Sequence, residues 1–140
     1  RRKPGAQRTH ETRITPLLLD LADPSPAMGW ALAERASLVE RSNADVLMGL
    51  ALVHHLAIGR NVPLPMIASF FAELAPDLVL EWVPREDVMV QKLLSGRKDI
   101  FDGYHEEGFR AAFEENGWET CAREPIEGSP RVLYRFRRSG

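Results

Sequence analysis

The sequence predicts an α/β fold in which a sheet is closed at its end by an antiparallel hairpin. Strand-like and helix-like segments alternate along the chain, which is typical of α/β folds. The last two strand-like segments are separated by the turn Glu127-Gly128-Ser129-Pro130, and a Gly/Pro turn between alternating strands indicates a hairpin. We therefore expect the order strand, helix, strand, helix, strand, helix, strand, strand.

The first third of the chain is predicted to contribute two strands and one helix. Residues 1–12 are basic and polar, so we expect a flexible arm there. Arg13–Leu19 predicts a strand, in which Pro16 lacks one ladder donor and so favours an edge or strand-start position. Ala31–Arg41 has the apolar spacing of a helix. Ala44–Val53 is almost continuously apolar, and we interpret it as a strand that is buried on both faces.

The rest of the chain has clearer boundaries, because proline and glycine separate its segments. Apolar residues recur at helical spacing in three segments and alternate or run together in three others. The predicted elements are the loop Leu56–Asn61, the helices Pro63–Ala75, Glu86–Ser95 and His105–Asn116, and the strands Asp77–Val83, Trp118–Arg123 and Val132–Arg137.

The composition is that of one globular domain, which we place at residues 13–138. The chain has 140 residues, 44% of them hydrophobic and 27% charged. A formal net charge of -2 argues against a dedicated nucleic-acid binder. No apolar run approaches the roughly 20 residues that span a bilayer, so we expect no membrane segment.

The single cysteine, Cys121, excludes an internal disulfide and a multi-cysteine zinc site. One cysteine suits a reducing compartment, and we expect a cytoplasmic protein. The sequence has neither an initiator Met nor an apolar stretch of the kind found in a secretory signal. We expect it to be a processed product or part of a longer protein.

Three segments form a more specific pattern. Leu18-Leu19-Asp20-Leu21 ends a predicted strand in an acid, Ala44–Leu56 ends in His54-His55, and Leu78–Pro84 is followed by a helix and the hairpin. Over residues 13–138 this pattern resembles the second half of the class I S-adenosylmethionine-dependent methyltransferases. The resemblance is greatest to the bacterial nodulation-protein-like methyltransferases.

This resemblance implies a partial Rossmann-like sheet that lacks its first two strands. It also implies S-adenosylmethionine as cofactor and methyl transfer to a small molecule or another acceptor of unknown identity. The family has a glycine-rich loop after its first strand, whereas no Gly-x-Gly occurs in this sequence. Half of the cofactor site is therefore expected to be absent from these 140 residues.

By the resemblance, Asp20 and Leu21 contact the cofactor, with the Asp20 carboxylate accepting a hydrogen bond from the adenine amino group. The alternative is an Asp that stabilises a turn or a helix start. The backbone of Leu50 and Ala51 would meet the cofactor at the end of its strand. The alternative is that their side chains are ordinary core residues.

His54 is the predicted proton acceptor, because an imidazole can take up a proton near neutral pH. His54 and His55 are adjacent and point in different directions, so they form no metal site together and no metal is expected. Their alternative role is to stabilise the loop. Glu81 lies inside an apolar strand, which places it either in the cleft or beside a partner, since an unpaired buried carboxylate is costly.

Two other functions remain open. A non-catalytic, methyltransferase-like interaction module would explain the missing glycine loop. A different α/β enzyme, such as a hydrolase using His54 or His55, would need a nucleophile motif such as Gly-x-Ser-x-Gly, which the sequence lacks.

The missing strands also affect the sheet edge. The family's first two strands lie between its third and fourth, so either Arg13–Leu19 pairs directly with Ala44–Val53 or a second copy of the chain completes the edge.

Overall fold

A computed structural model describes residues 14–140. The predicted arm at residues 1–12 and Arg13 lie outside the described residues. The helices are α1 (Leu38–Arg41), α2 (Leu64–Ala72), α3 (Val88–Leu94) and α4 (Glu106–Glu115), and the strands are β1 (Val46–Gly49), β2 (Asp77–Trp82), β3 (Trp118–Pro125) and β4 (Val132–Arg138). A 3₁₀ turn at Trp30–Leu32 and a turn of π-helix at His55–Gly59 complete the regular structure that is described.

The strands form a four-stranded mixed sheet in the order β1-β2-β4-β3. β1 runs parallel to β2, with Val46 opposite Asp77, whereas β4 is antiparallel to both of its neighbours. The α/β class and the hairpin are confirmed. Because β1 and β2 are parallel, their carboxyl ends meet at one edge of the sheet, where α/β proteins place ligands.

The core lies between the sheet and the helices α2 and α4. Phe113 of α4 stacks on Phe136 of β4 with ring centroids 4.9 Å apart, and Phe109 stacks on Trp82 at 5.1 Å. Local sequence sets the helix ends: Pro63 precedes α2, and Gly117, at φ 81°, follows α4 in a conformation that favours glycine. Within residues 14–140, no helix is long and apolar enough to cross a membrane.

The strand predicted at Arg13–Leu19 is wrong over its described part, which has no regular secondary structure. Leu17 and Leu18 are 65% and 103% exposed. A strand needs a hydrogen-bonded neighbour, and the segment does not pair with β1. The expected direct pairing with Ala44–Val53 is therefore also wrong.

The helix predicted at Ala31–Arg41 is largely wrong, because only its last four residues, α1, form an α-helix. The chain stops short of a longer helix because Ala31 and Leu32 adopt positive φ angles of 54° and 59°. α1 begins at Ser37, whose hydroxyl accepts from the Glu40 N–H while the Glu40 carboxylate accepts from the Ser37 N–H.

The strand predicted at Ala44–Val53 is only four residues long, and it is not buried on both faces. Val46 and Met48 are 52% and 64% exposed, whereas Gly49 is buried against Leu80. Within residues 14–140, β1 has a single neighbour, β2, so no described strand covers its other edge. The predicted loop at Leu56–Asn61 contains most of the π-helical turn.

Candidate functional site

A strained turn follows the carboxyl end of β1 and is hydrogen-bonded to the neighbouring end of β2. Ala51, two residues after β1, has φ 49°, a left-handed conformation that residues with a Cβ rarely adopt. Its N–H donates to Glu81 Oε2 at 2.5 Å. Glu81 lies on β2 and is buried, so the carboxylate holds the turn in place from inside the sheet. Backbone strain of this kind often marks a functional site.

Glu81 belongs to a cluster with Asp87 and Arg131. Arg131 donates through Nη1 to Glu81 Oε1 at 3.3 Å and through Nε to Asp87 Oδ2 at 2.8 Å. Asp87 also begins α3, accepting from the Met89 N–H at 2.8 Å. The hydrogen bond from Arg131 is the main reason that the pKa of Asp87 lies below its usual range. Of the two interpretations of Glu81, the structure shows the partnered one.

His54 lies behind this turn and is 1% exposed. Neither of its ring nitrogens has a hydrogen-bond partner among the residues that the structure describes. Burial, with smaller contributions from the neighbouring His55 and Arg131, lowers the pKa of His54 to about 4. His54 is therefore neutral at pH 7. Its buried ring does not line the adjoining groove. Its role as proton acceptor stays a prediction.

His55 stacks against His54, with ring centroids 4.2 Å apart, and its side chain is exposed. It lines a groove of about 570 Å³ that also holds Asp20 and Leu21. Leu52, which follows the strained turn, forms part of the same wall. The structure thus brings Asp20 and Leu21 next to His55. Leu50 and Ala51 lie at the start of the adjoining loop, outside the groove wall.

Asp20 is held in place from two sides. Its Oδ2 accepts from Arg60 Nη2 at 2.6 Å and its Oδ1 from the Ala22 N–H at 3.0 Å. The second contact is the turn role that was the alternative for this residue. A carboxylate has about four acceptor positions, so Asp20 can still accept a hydrogen bond from an amino group in the groove. The turn role and a ligand role are therefore compatible.

Three residues of this region were missed by the sequence reasoning: Arg60, Asp87 and Arg131. Asp87 carries a local signal, because an Asp directly before an apolar helical segment favours a helix start. Arg60 and Arg131 carry none, since their partners lie 40 and 44 residues away in the sequence.

Among residues 14–140, no group of three or more His, Cys, Asp and Glu side chains is placed to hold a metal ion.

The chain is similar to the nodulation protein NoeA of Rhizobium meliloti (strain 1021), with 43% identity over 124 residues. The match covers 89% of this chain but 26% of NoeA, so the chain spans about a quarter of the length of that relative. This similarity supports the expected relation to nodulation-protein-like sequences. No protein-family model and no solved structure matches the chain.

Proposed function

We propose that the chain forms part of an S-adenosylmethionine-dependent methyltransferase, with the groove beside Asp20 receiving the adenine end of the cofactor. The observation that carries the proposal is the position of Asp20. Its carboxylate lies in a groove against the loop that follows a parallel strand, with acceptor capacity to spare. The sheet adds support: a parallel pair followed by an antiparallel hairpin agrees with the resemblance in the sequence.

The residues of the groove fit one end of the cofactor. Asp20 would accept from the adenine amino group, while Leu21 and Leu52, which line the groove, would pack around the ring. The other end of the cofactor has no counterpart here, since no Gly-x-Gly occurs in the sequence. We therefore expect binding of the cofactor by this chain to be weak, with a dissociation constant on the order of 1 mM.

When bound, S-adenosylmethionine supplies a methyl group already activated by its sulfonium. The chain's own task is then to align donor and acceptor and to keep water out. The acceptor must also lose a proton as its new bond to carbon forms. His55 is exposed on the groove wall and can receive that proton directly. His54 would need the loop to open first, because its ring is buried.

The cofactor proposal is tested by titrating S-adenosylmethionine into the isotope-labelled chain and following its amide NMR signals. We expect shifts at Asp20, Leu21 and Ala51. Asp20→Ala should weaken binding by about 1–3 kcal/mol, because the groove loses a hydrogen-bonding partner. Asp23→Ala, a change in the same loop outside the groove, is the matched control. Equal binding by the two variants would refute the assignment.

The histidines are separated by turnover, measured as release of S-adenosylhomocysteine with candidate acceptors. If His54 is the base, His54→Asn should lose turnover and keep cofactor affinity, and His55→Asn should keep both. The opposite pattern would transfer the role to His55. Parallel losses of turnover and melting temperature in His54→Asn would support a structural role instead.

A non-catalytic interaction module is the second candidate. The outer edge of β1, which no described strand covers, favours it, since an unpaired edge is a surface that pairs readily with another chain. The NMR titration distinguishes the two: a module of this kind would show no response to S-adenosylmethionine at Asp20.

A further inference from the structure

The groove beside Asp20 does not end at Arg60. Gly59 and Arg60 also line a second section of about 490 Å³, whose walls include Arg97 and Lys98. This section in turn shares lining residues with an apolar cavity of about 480 Å³, and the shared residues are Asn61, Ile100 and Phe101. The three sections therefore adjoin, in the order groove beside Asp20, basic section, apolar cavity.

The apolar cavity lies between the start of α2 and one side of α4. Its walls are almost entirely hydrocarbon, with Val62, Leu64 and Ala112 among them. Tyr104 presents its ring to the cavity while its hydroxyl donates to the Val83 carbonyl at 2.7 Å, so the hydroxyl is already engaged. A cavity of this size and lining suits a small apolar group.

One wall of the cavity depends on a close backbone approach. A Cβ added at Gly108 would lie 2.4 Å from the Gly103 carbonyl oxygen, so only glycine allows α4 to approach the loop before it. At the other wall, Asn61 turns the chain with φ 57°. The cavity is thus formed by specific backbone geometry, and only Asn61 and Glu115 bring unengaged polar side chains to it.

The basic section carries positive charge without internal compensation. Among the residues that the structure describes, neither Arg97 nor Lys98 forms an ion pair with a carboxylate, whereas Arg60 is paired with Asp20. Arg97 is fixed in place, since its Nη1 donates to the Ile58 carbonyl at 2.6 Å. Two cationic side chains therefore lie between the apolar cavity and the groove of the proposed cofactor.

We propose that the methyl acceptor is an amphipathic anion, with its apolar part in the cavity and a carboxylate or phosphate group at Arg97 and Lys98. The adjoining groove beside Asp20 then places the rest of such a molecule next to His55 and the cofactor. The role as acceptor rests on the proposed function, whereas the binding of an amphipathic anion does not. Opposite charges at close range favour such a ligand over a neutral analogue.

The test is calorimetric titration of the chain with three eight-carbon probes: octanoate, octyl phosphate and neutral octanol. We expect both anions to bind more tightly than octanol. Exchanging Arg97 and Lys98 for Gln should weaken binding of the anions by about two- to fivefold for each charge and leave octanol unchanged. Lys92→Gln, a matched removal of an exposed charge outside the groove, should change nothing. A preference for octyl phosphate over octanoate well beyond the roughly fourfold gain of its one additional alkyl carbon would identify a phosphate group, and the reverse preference a carboxylate.

The apolar half is tested by Ala111→Phe, which fills the cavity from α4. Binding of all three probes should fall about tenfold or more, because each methylene group kept out of the cavity forfeits roughly a fourfold gain in affinity. Ile100→Glu gives a second readout at an exposed position, so folding is preserved. It should abolish the preference for anions by opposing charge.

The proposal is overturned if octanol binds as well as octanoate, or if filling the cavity has no effect on a folded variant. Its failure is distinct from that of the proposed function. Octanoate binding without any response to S-adenosylmethionine would retain the amphipathic site and refute methyl transfer. Cofactor binding without octanoate binding would retain methyl transfer and refute this acceptor class.

Discussion

Two regions of the described chain bury similar residues to very different extents. Trp82 on β2 is 2% exposed and stacks between Tyr104 and Phe109, whereas Trp30 near the start is 86% exposed. The contrast extends beyond tryptophan. The sheet and α4 bury most of their large apolar side chains against each other, and the exposed ones within residues 77–138 are Val88, Met89 and Ile100. The segment 14–32 leaves seven large apolar side chains exposed, namely Ile14, Leu17, Leu18, Leu19, Met28, Trp30 and Leu32.

The difference lies in the layers available to each region. A sheet face or a helix stripe is buried only when a second element packs on it. β2 has strands on both sides and α4 above, whereas the segment 14–32 pairs with no strand of the sheet within residues 14–140. An apolar segment therefore indicates a surface that must be covered by another element. Whether it is covered within the described chain depends on the tertiary fold.

The two tryptophans give the largest expected difference. Trp82→Ala should lower the free energy of unfolding by about 3–5 kcal/mol, because it leaves a cavity among packed rings. Trp30→Ala should change it by less than about 0.5 kcal/mol, as expected for an exposed side chain without buried partners. Urea unfolding of both variants measures the difference, and comparable losses would mean that Trp30 is covered in solution.

The sequence predicted the better-packed region well. α2, β2, α4 and the hairpin follow the expected boundaries within a few residues, because the apolar spacing there matches an element that is buried. The segment before β1 was predicted poorly, since its apolar residues suggested a strand and a helix for which no partner exists in the described chain. Local spacing reports the potential of a segment to be buried and says nothing about its neighbour.

The candidate site was predicted only in part. The loop after β1 could be predicted, because strand ends mark the ligand edge of a parallel sheet. Asp20 was expected to end a strand, but residues 14–19 form none, so its place in the groove follows from contacts that the sequence did not predict. The contacts of Arg60 and Arg131 could not be predicted either, since they join residues that only the tertiary fold brings together. The burial of His54 was also beyond local patterns, because it depends on how the π-helical turn packs.

The buried charge cluster is the next test of this contrast. Arg131→Met leaves Glu81 and Asp87 without their counter-charge and should destabilise the fold by about 3 kcal/mol. Arg110→Met removes an exposed partner of Glu114, 4.0 Å away, and should cost less than about 1 kcal/mol. Chemical denaturation at pH 7 compares the two. If Arg131→Met were as mild as the control, the cluster would be solvated rather than buried.

His54 predicts a pH dependence of stability. Burial lowers its pKa to about 4 in the fold, against roughly 6.5 in an unfolded chain, so the unfolded state binds the proton more readily between these values. Stability should therefore fall by about 2–3 kcal/mol as the pH is lowered from 7 to 4. His54→Gln should flatten this part of the profile, which thermal unfolding across the range can measure.

A second group separates this effect from general acid unfolding. The pKa of Asp87 is lowered, chiefly by Arg131, so the stability it contributes is present above its ordinary value of 3.8 and is lost only at lower pH. The two pH windows scarcely overlap. A loss between pH 7 and 4 that persists unchanged in His54→Gln would show that another group is responsible.

The smallest effect on stability is expected at the edge of β1, which lies between the two regions in the sequence. Met48 is 64% exposed on a strand whose outer edge has no partner in the described chain. We propose that this edge associates with a second copy of the chain, because unpaired apolar strands pair readily. Met48→Lys should leave the free energy of unfolding unchanged within about 0.5 kcal/mol, yet shift the chain towards monomer in sedimentation experiments.

Met66→Lys is the matched control for this variant. Its side chain is 61% exposed on α2, away from the edge, and the substitution should leave the association intact. If both variants or neither altered the mass in solution, the edge of β1 would not be the associating surface. Its apolar side chains would then simply face water, as those of the segment before it do.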